Sequence, residues 1–427
     1  MMRRVVISGI GPVTSIGTGK DDYFDGIINS RMHIRKIPDN FEIGYNFKSR
    51  FYSPHPEADL SGHGFPRYYD KVTQGEDKLA LIASSLALKD AGFKVDKGEK
   101  SFIVPELNSC GVIVGIGISS LETGFHSYLA HVIKDKSEIP EALENAKIRY
   151  NRMVVPMLMP NSISSWISIT YGLKGTSYTV NAACASGIFA VGNAYERIKS
   201  GLEDVILTGG VECLSDNFGG VMRGFDVLGV LTQSPDGIPR PFSKTSTGFL
   251  FSQGAACILV LEEYEHAIKR DAQIYAEIID FQSNSDAYNI VQIDPSGTQI
   301  KKMLNDLKQD HHIDYLNAHG SGTVVNDDIE AEAIAEVFGP KEHQPYINST
   351  KGILGHTLGA SGALETAVTA LSIKESQIHG NSVPDARENL NLVDKSIHTQ
   401  VNMAISTSYG FGGHNAGIVL KKYDNEK

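Results

Sequence analysis

Four cysteines occur in the chain, and one stands in a place suited to chemistry. Cys184 follows the apolar run SYTVNAA and opens a stretch, 184–199, that reads as a helix. A thiol at a helix N-terminus feels the positive end of the helix dipole, which favours thiolate. Its neighbours Ala182, Ala183, Ala185, Ser186 and Gly187 are small, so a bulky acyl group and backbone N–H donors can approach the sulfur. Cys110, Cys213 and Cys257 lie inside apolar runs and read as structural thiols. Two histidines complete a possible constellation. His319 ends the run YLNAHG, and His356 sits between glycines in KGILGHTLGASG. A neutral imidazole in such a position can donate its N–H to a developing oxyanion or enolate. Lys351 and Glu365 flank the same turn as His356, either as a structural ion pair or as support for catalysis. The glycine-rich SYGFGGHNAG (408–417) opens no strand–GxGxxG–helix unit, so it is not a dinucleotide fingerprint. It reads as a tight turn, or as a backbone oxyanion donor with Phe411 lining a pocket.

These residues need a scaffold, and the chain alternates two kinds of segment. Apolar runs that read as strands occur at 4–11, 110–117, 177–183, 205–212, 256–264, 275–281, 315–320, 345–350 and 404–410. Helical stretches lie between them, including 77–91, which stops at Gly92. The stretch 184–199 is apolar nearly all round for three turns, which predicts burial. Alternating strand and helix predicts an α/β fold on mostly parallel or mixed sheet. A weak repeat supports a duplication. SYTVNAACASGIFAVGNAYERIKSG and PYINSTKGILGHTLGASGALETAVTALSIKES share one plan of strand, tight turn and small-residue helix. We read two similar halves, 1–255 carrying the cysteine and 256–427 carrying the histidines. Residues 128–152 read as an insertion with helical character.

Composition narrows the classes. The 427 residues carry 39 Lys plus Arg against 50 Asp plus Glu, a formal charge of −11. That balance argues against a general nucleic-acid binder. With 41% hydrophobic residues the chain can bury a core, so it is neither disordered nor fibrous. No run of about 18 apolar residues occurs, so no membrane span is expected. Widely spaced cysteines without CxxC fit reduced thiols in the cytoplasm and no zinc or other metal site.

Four motifs together resemble one family: VNAACASG at Cys184, NAHGSGTVVND at His319, STKGILGHTLGASGALE at Lys351 and His356, and SYGFGGHNA at Phe411. They are similar, in order and spacing, to the elongating β-ketoacyl-acyl carrier protein synthases. The resemblance implies a thiolase fold, a duplicated five-layer αβαβα sandwich. It implies decarboxylative condensation of a malonyl-carrier protein with an acyl chain on Cys184, in fatty acid or type II polyketide synthesis. His319 and His356 would serve the enolate, and Lys351 with Glu365 would orient them. The N–H groups of Cys184 and Phe411 would form an oxyanion hole, Ser321 and Thr323 would hold the phosphopantetheine arm, and no cofactor would be needed. HGSGT resembles the ketosynthase-alpha subunits of polyketide systems. The expected partners are an acyl carrier protein, docked at Arg67 and Lys71, and a second ketosynthase chain in a homodimer or in a heterodimer with a chain-length-factor-like subunit. Two other readings are a catalytically silent chain-length partner and a CoA-dependent thiolase; the latter carries a second cysteine near its C-terminus, where GFGGHN has none. One stretch departs from the family. In RPFSKTSTGFLFSQGA (240–255), Ser243, Ser246, Thr247 and Gln253 stand where charged residues are common, so the polar pairs bracing this loop must be rearranged.

Overall fold

The computed structural model describes residues 2–98, 102–119, 121–133, 150–381 and 383–424. Ten strands among these form the body of one sheet. They are β1 (Val5–Thr14), β2 (Gly111–Ile116), β3 (Ser177–Val180), β4 (Val205–Cys213), β5 (Gly254–Glu263), β6 (Ala276–Ser285), β7 (Tyr315–Asn317), β8 (Tyr346–Asn348), β9 (Met403–Gly410) and β10 (His414–Lys421). The helices that matter below are α1 (Gly75–Asp90), α2 (Ser162–Tyr171), α3 (Ser186–Lys199), α4 (Thr298–Lys308), α5 (Val324–Phe338) and α6 (Ser361–Glu375).

Strand order makes the duplication explicit. The sheet runs β8-β7-β9-β10-β6-β1-β5-β4-β2-β3. Its N-terminal half, read inward from its edge, is β3-β2-β4-β5-β1, and its C-terminal half is β8-β7-β9-β10-β6. The pairing directions match as well. β2 is parallel to β3 and β4, β7 is parallel to β8 and β9, and the remaining pairs within each half are antiparallel. A short antiparallel contact, Val5–Ile7 with Ala276–Ile278, joins the halves.

Helices cover both faces because most of these strands are apolar on both sides. Helices α1 and α2 pack on the outside of the N-terminal half, around Leu79, Ile82, Ile163 and Val112. Helices α4 and α5 pack on the outside of the C-terminal half, around Met303, Leu304, Ile334 and Ile405. Between the two halves lie α3 and α6, inside the largest apolar cluster. The result is an α/β fold of five layers, αβαβα.

The middle layer explains the small residues of the repeat. Every residue from Ser361 to Ile373 is buried, so α6 has no solvent face. Helices α3 and α6 meet at glycines. A Cβ on Gly187 would lie 2.9 Å from the Ala363 nitrogen, and one on Gly362 would lie 2.6 Å from the Ile188 nitrogen. Backbone atoms occupy the space that any side chain would need.

Each of the nine apolar runs overlaps a strand. The tenth strand, β10, was not foreseen. It starts at His414, inside the glycine-rich stretch, and forms a hairpin with β9 in which Gly412 and Gly413 take positive φ of 88° and 77°. The division expected at 255/256 runs through β5. That strand pairs along its length with β1 and β4, both N-terminal strands, which puts the boundary in the segment between Glu263 and Ala276. Of the insertion at 128–152, the helix Leu121–Val132 is seen on its near side, while 134–149 lie outside the described residues.

The crossing sets a test. Gly362→Ala forces a methyl against backbone, and overpacking of this kind costs roughly 1–3 kcal/mol. We expect a lower melting temperature by calorimetry; a value equal to the parent's would refute the close crossing.

Candidate active site

Cys184 sits at the turn between β3 and α3, two residues ahead of the helix. Ala183 before it takes a φ of 49°, a left-handed conformation that a residue with a Cβ rarely adopts. The turn is held by side chains on both sides. Asn181 donates to the Gly117 carbonyl at 2.8 Å, and the Ser186 hydroxyl accepts the Ala182 N–H at 2.9 Å. This strained, braced turn aims the sulfur into a cavity of about 490 Å³.

The cavity lining gathers Cys184, His319, His356, Ser321, Thr323 and Phe411 from both halves of the fold. The helix-dipole argument for a thiolate does not hold in the free chain. Burial pushes the Cys184 thiol up to about 12, while the charge of Lys351 and the Phe411 N–H pull against that and Glu212 adds to it. Burial therefore wins, and the resting group is a thiol. The same balance places the N–H groups of Phe411 and of Cys184 itself against the sulfur. That is where the oxygen of a thioester on Cys184 would develop charge.

The histidines come from the C-terminal half. His319 follows β7 and His356 follows the short helix Lys351–Leu354. Their rings lie 5.6 Å apart at 81°. His319 also packs on Tyr409 at 5.3 Å, and His356 on Phe249 at 4.9 Å. Burial, and next the charge of Lys351, hold both imidazoles well below the usual histidine range, so both are neutral. The Leu358 N–H donates to His356 Nδ1 at 3.3 Å, which makes that nitrogen an acceptor. The ring proton of His356 therefore sits on Nε2.

Lys351 and Glu365 lie behind the cavity and are both 2% exposed at their side chains. Lys351 Nζ is 2.5 Å from Glu365 Oε1 and donates to the His319 carbonyl at 2.8 Å. The Ser408 hydroxyl donates to the other oxygen of Glu365 at 3.2 Å. The pair is structural and also sets the height of His319. Ser321 and Thr323 hydroxyls lie 2.9 Å apart on the wall. Arg67 and Lys71 are exposed and are not among the cavity lining, so the structure does not bring these two to the site.

Three buried carboxylates that the sequence reading missed hold the loops. Glu330 accepts the N–H groups of His319 and Gly320 at 2.9 and 2.8 Å. Asp327 accepts those of Phe242 and Gly322 at 2.7 and 3.1 Å. Burial raises Glu330 to about 7 and Asp327 to about 6. Glu212, at the end of β4, reaches across the halves. It accepts Gly117 and Ile118 N–H at 3.0 Å each and Gly359 N–H at 2.9 Å. Burial lifts it to about 8. The signal for the first two was present in NDDIEAE, directly after the HGSGT motif, but acids in the first turns of a helix are ordinary there.

The unusual loop 240–255 is tied by hydroxyls where charges were expected. Ser243 and Thr245 each donate to Asp385 at 2.5 Å, Ser246 bonds to the Gly322 carbonyl, and Thr247 pairs with Thr232 at 3.2 Å. The Gln253 side chain accepts the His55 N–H at 3.2 Å. Among the described residues no group of three or more His, Cys, Asp or Glu is placed to hold a metal ion, and no helix is long and apolar enough to cross a membrane.

Comparison with known proteins agrees with this geometry. The β-ketoacyl synthase N-terminal domain matches residues 2–267 and its C-terminal domain residues 275–382. The gap between them is the segment that separates β5 from β6. A 3-oxoacyl-[acyl-carrier-protein] synthase 1 of Buchnera aphidicola is 32% identical over 99% of this chain and 100% of its own. A β-ketoacyl synthase structure from Burkholderia phymatum is 30% identical with a TM-score of 0.83, covering 99% of this chain and 100% of its own. The ketosynthase of a type II polyketide synthase, solved in complex with its acyl-carrier protein and bound to the hexaketide, is 25% identical with a TM-score of 0.80, covering 99% of this chain and 100% of its own. One buried cysteine, two neutral histidines and the fold around them thus have a common source: the chain belongs to the β-ketoacyl synthase family.

Proposed function

We propose that this β-ketoacyl synthase extends acyl chains held on an acyl carrier protein, with Cys184 as nucleophile and malonyl-carrier as the two-carbon donor, in fatty acid or type II polyketide assembly. The observation that carries the proposal is one cavity holding a thiol, two backbone N–H donors beside it and two neutral imidazoles opposite.

Acylation comes first. The Cys184 sulfur attacks the acyl-carrier thioester, its proton passes to the carrier sulfur, and the carrier departs as a thiol. The oxyanion of the tetrahedral intermediate rests on the N–H groups of Cys184 and Phe411. Malonyl-carrier follows, its arm against Ser321 and Thr323. Its carboxylate leaves as carbon dioxide, and the electron pair of the broken bond forms an enolate. The enolate oxygen accepts N–H donors from His356 Nε2 and His319. Its carbon then attacks the acyl carbonyl, and Cys184 leaves and regains a proton. Neither a metal nor a redox cofactor takes part. A silent chain-length subunit would not require the braced thiol. A thiolase would need a second cysteine, and Cys184 is the one cysteine among the residues lining the cavity.

A dimer fits the open edge of the sheet. On the C-terminal side, the edge of β8 is covered by 391–393: Ile347 N–H donates to Asn391 and Val393 N–H donates to Ile347. Strand β3 pairs with β2 alone among the described residues. Beside it stand exposed Ile169, and further along Leu121, Tyr128 and Val155. An open edge flanked by apolar surface is a natural pairing face. Sedimentation of the purified chain should give a dimer; an active monomer would contradict this.

Cys184→Ala should abolish acyl transfer while the melting temperature holds. Mass spectrometry after incubation with octanoyl-carrier protein should place one adduct on Cys184, and an adduct on Cys110, Cys213 or Cys257 would overturn the assignment.

His319→Ala and His356→Ala should slow decarboxylation about 10²–10³-fold, the worth of one oxyanion donor, and slow self-acylation much less. Both imidazoles titrate far below 6.5, so the donor form persists at lower pH. Decarboxylation should therefore stay level from about pH 6.5 to 8, measured by carbon dioxide release. Equal loss in both half-reactions would refute this division of roles.

A further inference from the structure

Three polar atoms close to the end of β7 make no hydrogen bond. Among the described residues, His319 Nδ1, Tyr409 Oη and Thr407 Oγ1 are buried with no partner. Their residues are 4%, 5% and 0% exposed. Buried polar atoms are seldom left unpaired, so orphans beside reacting groups call for a role.

Tyr409 is the side chain that joins them. It lies near the end of β9, two residues after Thr407, so the two share a face of the strand. That face turns towards α4 and α5, since Tyr409 belongs with Ile405, Met303 and Ile334 to the outer apolar cluster. Its ring packs on the His319 imidazole with centroids 5.3 Å apart at 54°, and it lines the active-site cavity. Burial, and next the charge of Glu330, hold the phenol well above its usual range, so the O–H keeps its proton.

The ring proton of His319 has to be placed. A neutral imidazole carries one proton, and the partner of one ring nitrogen decides which nitrogen bears it. For His356 that partner is the Leu358 N–H, on Nδ1. For His319 the neighbouring donors are already taken. Lys351 Nζ is on the His319 carbonyl and Glu365, Ser349 Oγ is on the Gly320 carbonyl, and the Ser321 and Thr323 hydroxyls are on each other. Of the two rings against His319, that of His356 has its one proton on Nε2, in service of the enolate. The ring of Tyr409 brings a proton that nothing else accepts.

We infer that Tyr409 is a positioning residue for His319: its O–H donates to Nδ1, directly or through one water, and so keeps the ring proton on Nε2. The inference rests on the enolate role given to His319 above. It gives the two histidines the same tautomer by different means, a backbone N–H for His356 and a phenol for His319.

Tyr409→Phe removes the hydroxyl and keeps the ring that packs on His319. The readout is the nitrogen-15 spectrum of the full-length chain labelled at histidine, with the His319 signals assigned by their loss in His319→Ala. The parent should show the His319 proton on Nε2, and in Tyr409→Phe a large share should move to Nδ1. The kcat for carbon dioxide release from malonyl-carrier should fall roughly tenfold while KM holds within about twofold, the mark of an interaction made in the transition state. Acylation of Cys184 by octanoyl-carrier should stay within about twofold of the parent, since no enolate forms in that step. A tautomer unchanged in Tyr409→Phe, a parent with the proton already on Nδ1, or equal loss in both half-reactions would overturn the assignment. A parent that releases no carbon dioxide from malonyl-carrier would refute the condensing activity instead, and the spectrum would still decide whether Tyr409 sets the tautomer.

Discussion

Two buried helices that cross at glycine decide where every reacting atom can stand. Gly187 lies three residues after Cys184, and Gly359 lies three residues after His356. A Cβ on Gly187 would meet both the Gly359 oxygen and the Ala363 nitrogen at 2.9 Å. Cys184 of one half and His356 of the other are thus registered through backbone contact, with no side chain between. Glu212 locks the same junction by accepting N–H groups from Gly117 and Ile118 in one half and Gly359 in the other. Rotamer freedom is lowest where catalysis needs it lowest, since backbone-to-backbone packing has no side chain to hop.

Charge in the site follows from that packing. Taking Lys351 out of water is costly unless its charge is matched, and Glu365 at 2.5 Å matches it. Burial keeps both histidines neutral, and the remaining field of Lys351 adds to it. Neutrality matters for the chemistry. An imidazolium beside an enolate would hand over its proton and quench the carbon nucleophile, whereas a neutral N–H stabilises the enolate and leaves it reactive. The same field favours the Cys184 thiolate, yet burial outweighs it, so the sulfur rests as a thiol and is less exposed to chance alkylation or oxidation.

Much of this was legible in the sequence, and the parts that were not share a cause. Continuous apolar runs revealed nine strands, because a strand covered on both faces must be apolar throughout. Cys184, His319 and His356 were legible because each is a reactive type set among small residues at the end of such a run. β10 was not, since its first half, HNAG, has no apolar run and reads as turn. Glu212, Asp327 and Glu330 were missed because their role is to accept backbone N–H groups from loops distant in sequence or across a turn, and spacing along a chain carries no record of that. Lys351 and Glu365 were expected as a pair that orients the histidines; only the particular contact, Lys351 Nζ on the His319 carbonyl, was not readable, since it depends on β7 and β8 being neighbours. The thiolate expected at Cys184 failed for a related reason: a helix start is visible in a sequence, but the depth of its burial is not.

Duplication explains how a cavity lined by no lysine or arginine can still receive a carboxylate. In each half, the turn after the edge strand leads into the buried central helix: Cys184 precedes α3, and Lys351 and His356 precede α6. Ser321 and Thr323 precede α5 in turn, and all but Lys351 of these residues line the same cavity. Three helices therefore begin at the site, and a helix start presents unpaired N–H groups and about half a positive charge. Malonate brings a negative charge, its decarboxylation moves that charge to an enolate oxygen, and condensation moves it again to the oxygen of the tetrahedral intermediate. A lysine in the cavity would favour the first of these and hold the substrate too firmly in its ground state. Under the proposed mechanism, dipoles spread over three helix starts, together with the N–H groups of His356, Cys184 and Phe411, would follow the charge through all three positions and so lower the barrier rather than the well before it.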